Sequence, residues 1–350
     1  MGKQLVSIVD VARHAGVSVA SASRVLSNAS YPVSEETRGK VLQAAQELHY
    51  APNSLARSLR AQRSNLVAVL VGDNADPYFA EITRGVEEVA NDCGYLTIVC
   101  NTERKGEREL HYLQMLQDYR ADGVIFAGSG LNEPGHTERL NTIVQTMRER
   151  GAAIVTLAQH TLQVPAIQVD NASGARAMTR YLLELGHRRI AFIGGPSNLI
   201  VANMRLQGYM AALIEAGLDV DHTLILAGGF DREGGEQAVR NLAQLPEPQR
   251  PSAIFAANDE TAFGVLRGLN SLGWRVPEDF SVCGFGDLPM AQVVVPALTT
   301  VHIGLRNLGR SGMRKLLAQL QHEDAIGSEL LPVQIVPRAT TRAYAPLQTS

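Results

Sequence analysis

The sequence predicts an α/β chain with an all-helical N-terminal module, and three observations predict it. Residues 7–27, SIVDVARHAGVSVASASRVLS, carry two short apolar-patterned helices on either side of a glycine. From Asn65 onward, apolar runs of strand length alternate with amphipathic segments of helix length, the pattern of a doubly wound parallel sheet. Near Ile167 that alternation starts again, so the body divides into two similar lobes.

Ser7 reads as the N-cap of the first helix, and Asp10 three residues on completes a capping box. Val11, Ala15, Val17, Ala22 and Val25 fall where two helices share one small core. Gly16 sits at the turn, where positive φ is easiest for glycine. Ser18 caps the second helix, and Arg24 projects from it. Two crossed helices with a glycine turn make a helix-turn-helix, whose second helix lies in the DNA major groove; an ordinary helical hairpin is the bland alternative. A third helix starts at Ser34, with Glu35 and Glu36 where the helix dipole favours acids. Its stripe Thr37, Val41, Leu42, Ala45 and Leu48 faces the first two, and Tyr50-Ala51-Pro52 ends it. The headpiece is therefore residues 1–51. Residues 52–63 place Leu55 and Leu59 one turn apart beside Arg57 and Arg60. As an isolated helix this is too short to be stable, so it reads as a hinge helix and linker that folds when its leucines are covered.

The body, 64–350, opens with the strand LVAVLVGD. Helices are expected over 78–92, 107–119 and 137–150, each followed by a strand. After the restart, helices are expected near 173–185, 204–216, 233–245 and 261–272, with strands from Arg189, Leu224, Ala253 and Phe280. The first lobe is assigned to about 64–162 and 293–325, the second to about 163–292 and 326–345. Two lobes in series imply a ligand cleft. Ligands in such sheets bind beyond the carboxyl ends of strands, where Asp73, Asp170, Asn258, Asp259 and Asp287 stand.

The formal net charge of −3 hides an asymmetry: residues 1–63 hold eight Lys/Arg against four Asp/Glu, the remainder 24 against 31. A basic module on an acidic body fits phosphate contact at one end only. The cysteines Cys93, Cys100 and Cys283 have no metal or redox spacing and read as reduced thiols. No signal peptide is evident and no apolar run reaches the ~20 residues that span a bilayer, so a cytoplasmic protein is expected.

In order along the chain, DVARHAGVSVASASRVLS, PVSEETRGKV and YAPNSLARSLR resemble the lactose-repressor (LacI) family of bacterial transcription regulators, LacI/GalR type. PYFAEITRGVE, GHRRIAFIGGP, AAND after a strand and ALTTVHI extend the likeness over nearly the whole chain. The resemblance implies a two-lobed, periplasmic-binding-protein-like body. It implies a repressor that binds a pseudo-palindromic operator as a homodimer, under control of a small-molecule effector, a sugar or sugar acid, between the lobes. It sets Val19, Ala20 and Arg24 against bases. Arg24 suits a guanine, while Val19 and Ala20 suit thymine methyls or close approach. Ser7, Ser18, Ser23 and Asn28 look like phosphate contacts. Leu59 matches the hinge leucine that wedges into the minor groove, and Asn53 and Ala56 are assigned to DNA contact with it. Ala22 departs from the larger β-branched residue common at that position, which implies looser headpiece packing.

In the body, Tyr78, Phe79, Asp170, Arg205, Phe230, Asn258, Asp259 and Asp287 are assigned to the effector cleft. The resemblance gives Arg205 the ligand's hydroxyl or carboxyl oxygens and Phe230 a stacking role. The bland alternatives are core packing for Phe79 and Phe230, a surface ion pair for Arg205 and a helix cap for Asp259. Many sugar-binding members carry Asp directly after the aromatic of Gly-Phe; here Gly286 stands there and Asp287 follows. Losing that carboxylate favours a sugar acid or another anion as effector, with Arg205 as its partner. Residues 331–341 resemble the family's closing strand, and no leucine heptads follow, so a homodimer rather than a tetramer is expected.

Two other classes fit less well. Gly128-Ser129-Gly130 follows a strand, but Glu133 stands where a dinucleotide fingerprint needs glycine. No phosphate-binding GxxxxGK[ST] loop, zinc-spaced His pair or Gly-x-Ser-x-Gly elbow occurs. No enzyme, catalytic residue, cofactor or metal is therefore expected. A solute-binding protein would suit the two lobes but neither the headpiece nor the missing export signal.

Overall fold

The computed structural model describes residues 6–26, 33–50, 63–323 and 327–344, and the chain divides into two compact units, 1–64 and 65–350. In the first unit α1 (Ile8–His14), α2 (Val19–Leu26) and α3 (Glu35–Glu47) are helical. The capping box forms. The Ser7 N–H donates to Asp10 Oδ2 (2.9 Å), and the Asp10 N–H donates back to Ser7 Oγ (3.4 Å). Gly16 takes φ +65° at the turn, and the Ser21 N–H donates to Ser18 Oγ (3.1 Å). Val11, Ala12, Ala22, Val25, Val41 and Ala44 make the core. Leu42, expected on the buried stripe, is instead 51 % exposed, and Ala44 is buried. Val41, Ala44 and Leu48 follow the three- and four-residue helical spacing; Leu42 lies about 100° round from Val41.

The body's first sheet contains β1 (Leu66–Val71), β2 (Leu96–Asn101), β3 (Gly123–Phe126), β4 (Ala153–Thr156), β5 (Ala166–Val169) and β11 (Ser328–Leu331). Their order is β11-β5-β4-β3-β1-β2, all parallel. Alternate residues of β1 serve two cores. Val67, Val69 and Val71 join one with Ile82 and Val86 of α4 (Pro77–Asp92) and Leu308 of α11 (Leu305–Leu320). Ala68 and Leu70 join the other, with Leu110 and Leu113 of α5 (Gly106–Asp118) and Leu140 of α6 (His136–Glu149). Helices α4 and α11 meet through glycines. A Cβ on Gly85 would collide with the Arg306 carbonyl, and one on Gly309 with that of Ile82.

The second sheet orders β6 (Ile190–Gly194), β7 (Ile225–Ala227), β8 (Ala253–Ala256) and β9 (Ser281–Cys283) as β7-β6-β8-β9, again parallel. Helices α7 (Asn171–Glu184) and α8 (Ile200–Glu215) pack together, as do α9 (Arg232–Ala243) and α10 (Asp259–Ser271). β10 (Thr300–His302) pairs antiparallel with β12 (Gln334–Val336). Most helices start within two residues of expectation. The exception, α8, starts four residues early behind Leu199, which makes no side-chain cap bond and so gives no sequence signal.

The lobe boundaries need correction. The sequence reading puts β5 and β11 in the second lobe, yet both lie in the first sheet. Residues 299 and 302 were assigned to the first lobe, yet they bridge to Cys283 and Gly286 beside β9. A parallel strand followed by a helix reads alike in either lobe; its pairing partner is not written locally. Among the described residues, no helix is long and apolar enough to cross a membrane.

Candidate functional site

On the headpiece, Ser18, Val19, Ala20 and Arg24 share an exposed helical surface, and Ser23 is half-buried beside them. Ser7 lies at the start of α1, where its hydroxyl donates to Asp10 Oδ2 (2.6 Å), so that proton is committed to the cap. Asn28, Asn53, Ala56 and Leu59, together with nearly all of the proposed hinge, lie outside the described residues.

In the body a cavity, partly open to solvent, lies between the ends of the two sheets. Tyr78, Phe79, Arg205, Phe230 and Asn258 of the expected set line it. Arg205, on α8, is 4 % exposed. Its Nε donates to Asn171 Oδ1 (2.8 Å) and its Nη1 to the Ala257 carbonyl (2.5 Å), and its Cζ lies 3.9 Å from the Phe285 ring centroid. Asn171 is itself held. Its Nδ2 donates to Gln159 Oε1 (2.8 Å) and the Val169 carbonyl (3.1 Å). Burial pulls the guanidinium down to about 10, still charged at neutral pH. Among the described residues Arg205 makes no ion pair. Burial raises the Tyr78 phenol, and the nearby Arg205 charge opposes that rise.

The first lobe adds charges that the sequence reading missed. Asp76 caps α4, accepting from the Tyr78 N–H (3.0 Å), and pairs with Arg104 (3.4 Å). Burial pushes its carboxyl up to about 6. Glu109 also faces the cavity and accepts from His136 Nε2 (2.8 Å). Asp-Pro before a helix announces a cap, but nothing local announces that the cap opens on a cavity.

Three expected carboxylates lie off the cavity. Asp170 caps α7 by accepting from the Ser173 N–H (3.0 Å), and its neighbour Asn171 reaches Arg205 instead. Asp259 is fully buried, accepting from Thr300 Oγ1 (2.5 Å) and the Leu288 N–H (2.7 Å), and burial pushes it up to about 6. The helix cap there is Asn258, which accepts from the Thr261 N–H (3.0 Å) and donates to the Phe230 carbonyl (3.1 Å). Asp287, at φ +55°, is engaged by Arg338 (2.6 Å) and His302 (2.8 Å). In each case a one-residue step, or a left-handed residue, turns the side chain away.

The lobes also meet along a backbone seam. The Asn132 N–H donates to the Asn198 carbonyl (2.7 Å) and the Ile200 N–H to the Gly130 carbonyl (3.2 Å). The Val201 N–H donates to Ser129 Oγ (3.1 Å) and Asn198 Nδ2 to Glu133 Oε1 (3.0 Å). Among the described residues, no group of three or more His, Cys, Asp or Glu side chains is placed to hold a metal.

Two family models match the chain: bacterial regulatory proteins, lacI family, over residues 7–53, and a periplasmic binding protein-like domain over 179–341. The HTH-type transcriptional repressor CytR of Escherichia coli (strain K12) is 35% identical over 336 residues, 95% of this chain and 96% of that one. The structure is similar to the lac repressor dimer bound to operator and the anti-inducer ONPF, with TM-score 0.83, 29% identity, and 97% and 100% of the two chains covered. It is similar also to a transcriptional regulator CelR–cellobiose complex, with TM-score 0.69, 31% identity, and 96% and 99% covered.

Proposed function

The chain belongs to the LacI family of bacterial regulatory proteins, and from that premise we propose a homodimeric repressor whose grip on a pseudo-palindromic operator is set by a small molecule in the cavity. It is a regulator, not an enzyme. The exposed surface of α2 supports the operator half of this reading. Arg24 reads guanine, Val19 and Ala20 meet apolar base edges, and serines fix register on phosphates. Residues 52–63 supply the hinge, with Leu59 as its minor-groove wedge.

The observation that carries the effector half is Arg205, a buried cation facing the cavity with no ion-pair partner among the described residues. The cavity's other charged groups are already engaged, Asp76 by Arg104 and Glu109 by His136. An effector with one anionic group, such as a sugar acid, complements that balance. A neutral sugar is the second reading, favoured by the cellobiose in the CelR complex. The effector must prefer one lobe arrangement to alter DNA affinity at all.

Fluorescence anisotropy on DNA from upstream of the protein's own gene tests both halves, with protein titrated first and then neutral sugars, sugar acids and sugar phosphates. The expected result is specific binding that an anionic sugar derivative changes. A response to neutral sugars alone overturns the anion assignment. A headpiece that selects no DNA site from a random pool overturns the repressor reading.

A further inference from the structure

We propose that His136 is a positioning residue that links the floor of the cavity to the seam between the lobes. Its imidazole is buried between two glutamates that serve different places. On one side, Nε2 donates to Glu109 Oε2 (2.8 Å), and Glu109 lines the cavity. On the other stands Glu133, whose Oε1 accepts from Asn198 of the second lobe (3.0 Å). Glu133 Oε2 and His136 Nδ1 share a hollow over Gly106. A Cβ there would stand 2.6 Å from the first and 2.8 Å from the second. His136 Nδ1 is buried and has no hydrogen-bond partner. Glutamate, histidine, glutamate and asparagine thus run from the cavity to the seam.

The charge on His136 decides how strongly it holds Glu133 across this hollow, since the two are not hydrogen-bonded. The bond to Glu109 raises the His136 pKa, burial opposes the rise, and Glu133 supports it. The remaining charges nearby do not undo this. Arg139, on the same helix, disfavours the charge but is paired with Glu107 of α5. Burial brings His160 down to about 4, so it stays neutral. As imidazolium, His136 steadies Glu133, and Glu133 steadies Asn198 at the seam. An occupant that engages Glu109 weakens the charge on His136 and loosens the seam; this last step rests on the effector reading above.

Hydrogen exchange on the full chain, with no small molecule present, tests the link at peptides covering 129–133 and 198–201. In His136→Gln those seam amides should exchange severalfold faster, as the buried charge that holds Glu133 is lost. The amides of β3 and β8 should keep their protection. Gly106→Ala should give the same seam loss, although alanine ordinarily favours a helix over glycine, because its methyl fills the hollow between Glu133 and His136. In the wild type, seam protection, corrected for intrinsic exchange, should fall as pH rises through the His136 titration. Seam protection that is unchanged in Gly106→Ala and flat with pH overturns the proposal, even if His136→Gln does not fold. That failure would leave the effector reading standing, since no ligand enters the experiment.

Discussion

Among the described residues, the headpiece buries nothing larger than valine: Val11, Ala12, Ala22, Val25, Val41 and Ala44. The body fully buries Phe126, Phe192, Phe255, Phe285 and Tyr209. A module of some fifty residues has little core to give and stays close to its unfolding threshold. The side chains proposed to face DNA, Ser18, Val19, Ala20 and Arg24, are exposed and disturb no packing. The body has core in surplus and uses it to hold polar groups that burial alone would expel: Arg205, Asp259 and His136. One region is weakly held and displays its chemistry; the other is strongly held and encloses it.

The largest expected effect lies in the cavity. Arg205→Ala removes the cation and leaves Asn171 Oδ1 and the Ala257 carbonyl short of a donor. Ligand response should fall on the order of a hundredfold, about 3 kcal/mol, while operator affinity without ligand stays at the wild-type value in the anisotropy assay. Parallel loss of DNA binding would break the separation of the two regions. Matched truncations sharpen the contrast in stability. Val41→Ala and Val282→Ala each remove two methyl groups from a fully buried site, at about 2 kcal/mol. The first should unfold the headpiece and abolish specific DNA binding; the second should only lower the body's melting temperature. Equal loss of DNA binding in both would refute the difference in margin.

The pH response should differ too. Asp259 has a folded-state pKa raised from 3.8 to about 6. Its contribution is fully present below the unfolded value and is lost as pH rises through about 6, on the order of 3 kcal/mol. Asp259→Asn should flatten that part of the body's melting temperature against pH; an unchanged profile would assign the slope elsewhere, Asp76 first. In the headpiece the sign reverses. The Ser7 hydrogen bonds hold Asp10 below the usual carboxylate range. Its cap is intact above the unfolded pKa and is lost as pH falls through the folded one. Ser7→Ala should cost about 1 kcal/mol and leave the body's transition in place, as read by calorimetry.

How much was legible in the sequence follows the same division. The headpiece is local physics. Ser7 with Asp10, Gly16 at φ +65° and the α3 N-cap all act within a few residues, and each stands where the pattern put it. The strands and helices of the body were equally readable. The cavity was readable only in part, because there a one-residue step decides direction. Asp170 caps the end of α7, and Asn171, the next residue, turns inward to Arg205. Asn258 and Asp259 divide in the same way, one lining the cavity and the other tied to Thr300. Asp76 and Glu109 reach the cavity through sheet order, and sheet order also moved β5 and β11 into the first lobe. Pairing between distant segments leaves no local mark.

That sheet order also sets a timetable for synthesis. Helix α4 packs against α11, which the ribosome makes some two hundred residues later. At ordinary elongation rates the interval is roughly ten to forty seconds. Through it the apolar side of α4, with Ile82 and Val86, lacks its partner helix. The second lobe waits as well. Val282 donates to the Thr340 carbonyl (2.8 Å), and Tyr344 donates to the Leu185 carbonyl (2.7 Å). A nascent body is therefore exposed to holdase chaperones until nearly all of it has emerged. A premature stop before Ser328 leaves both lobes unfinished at once, the first without β11 and the second without its bonds to Thr340 and Tyr344.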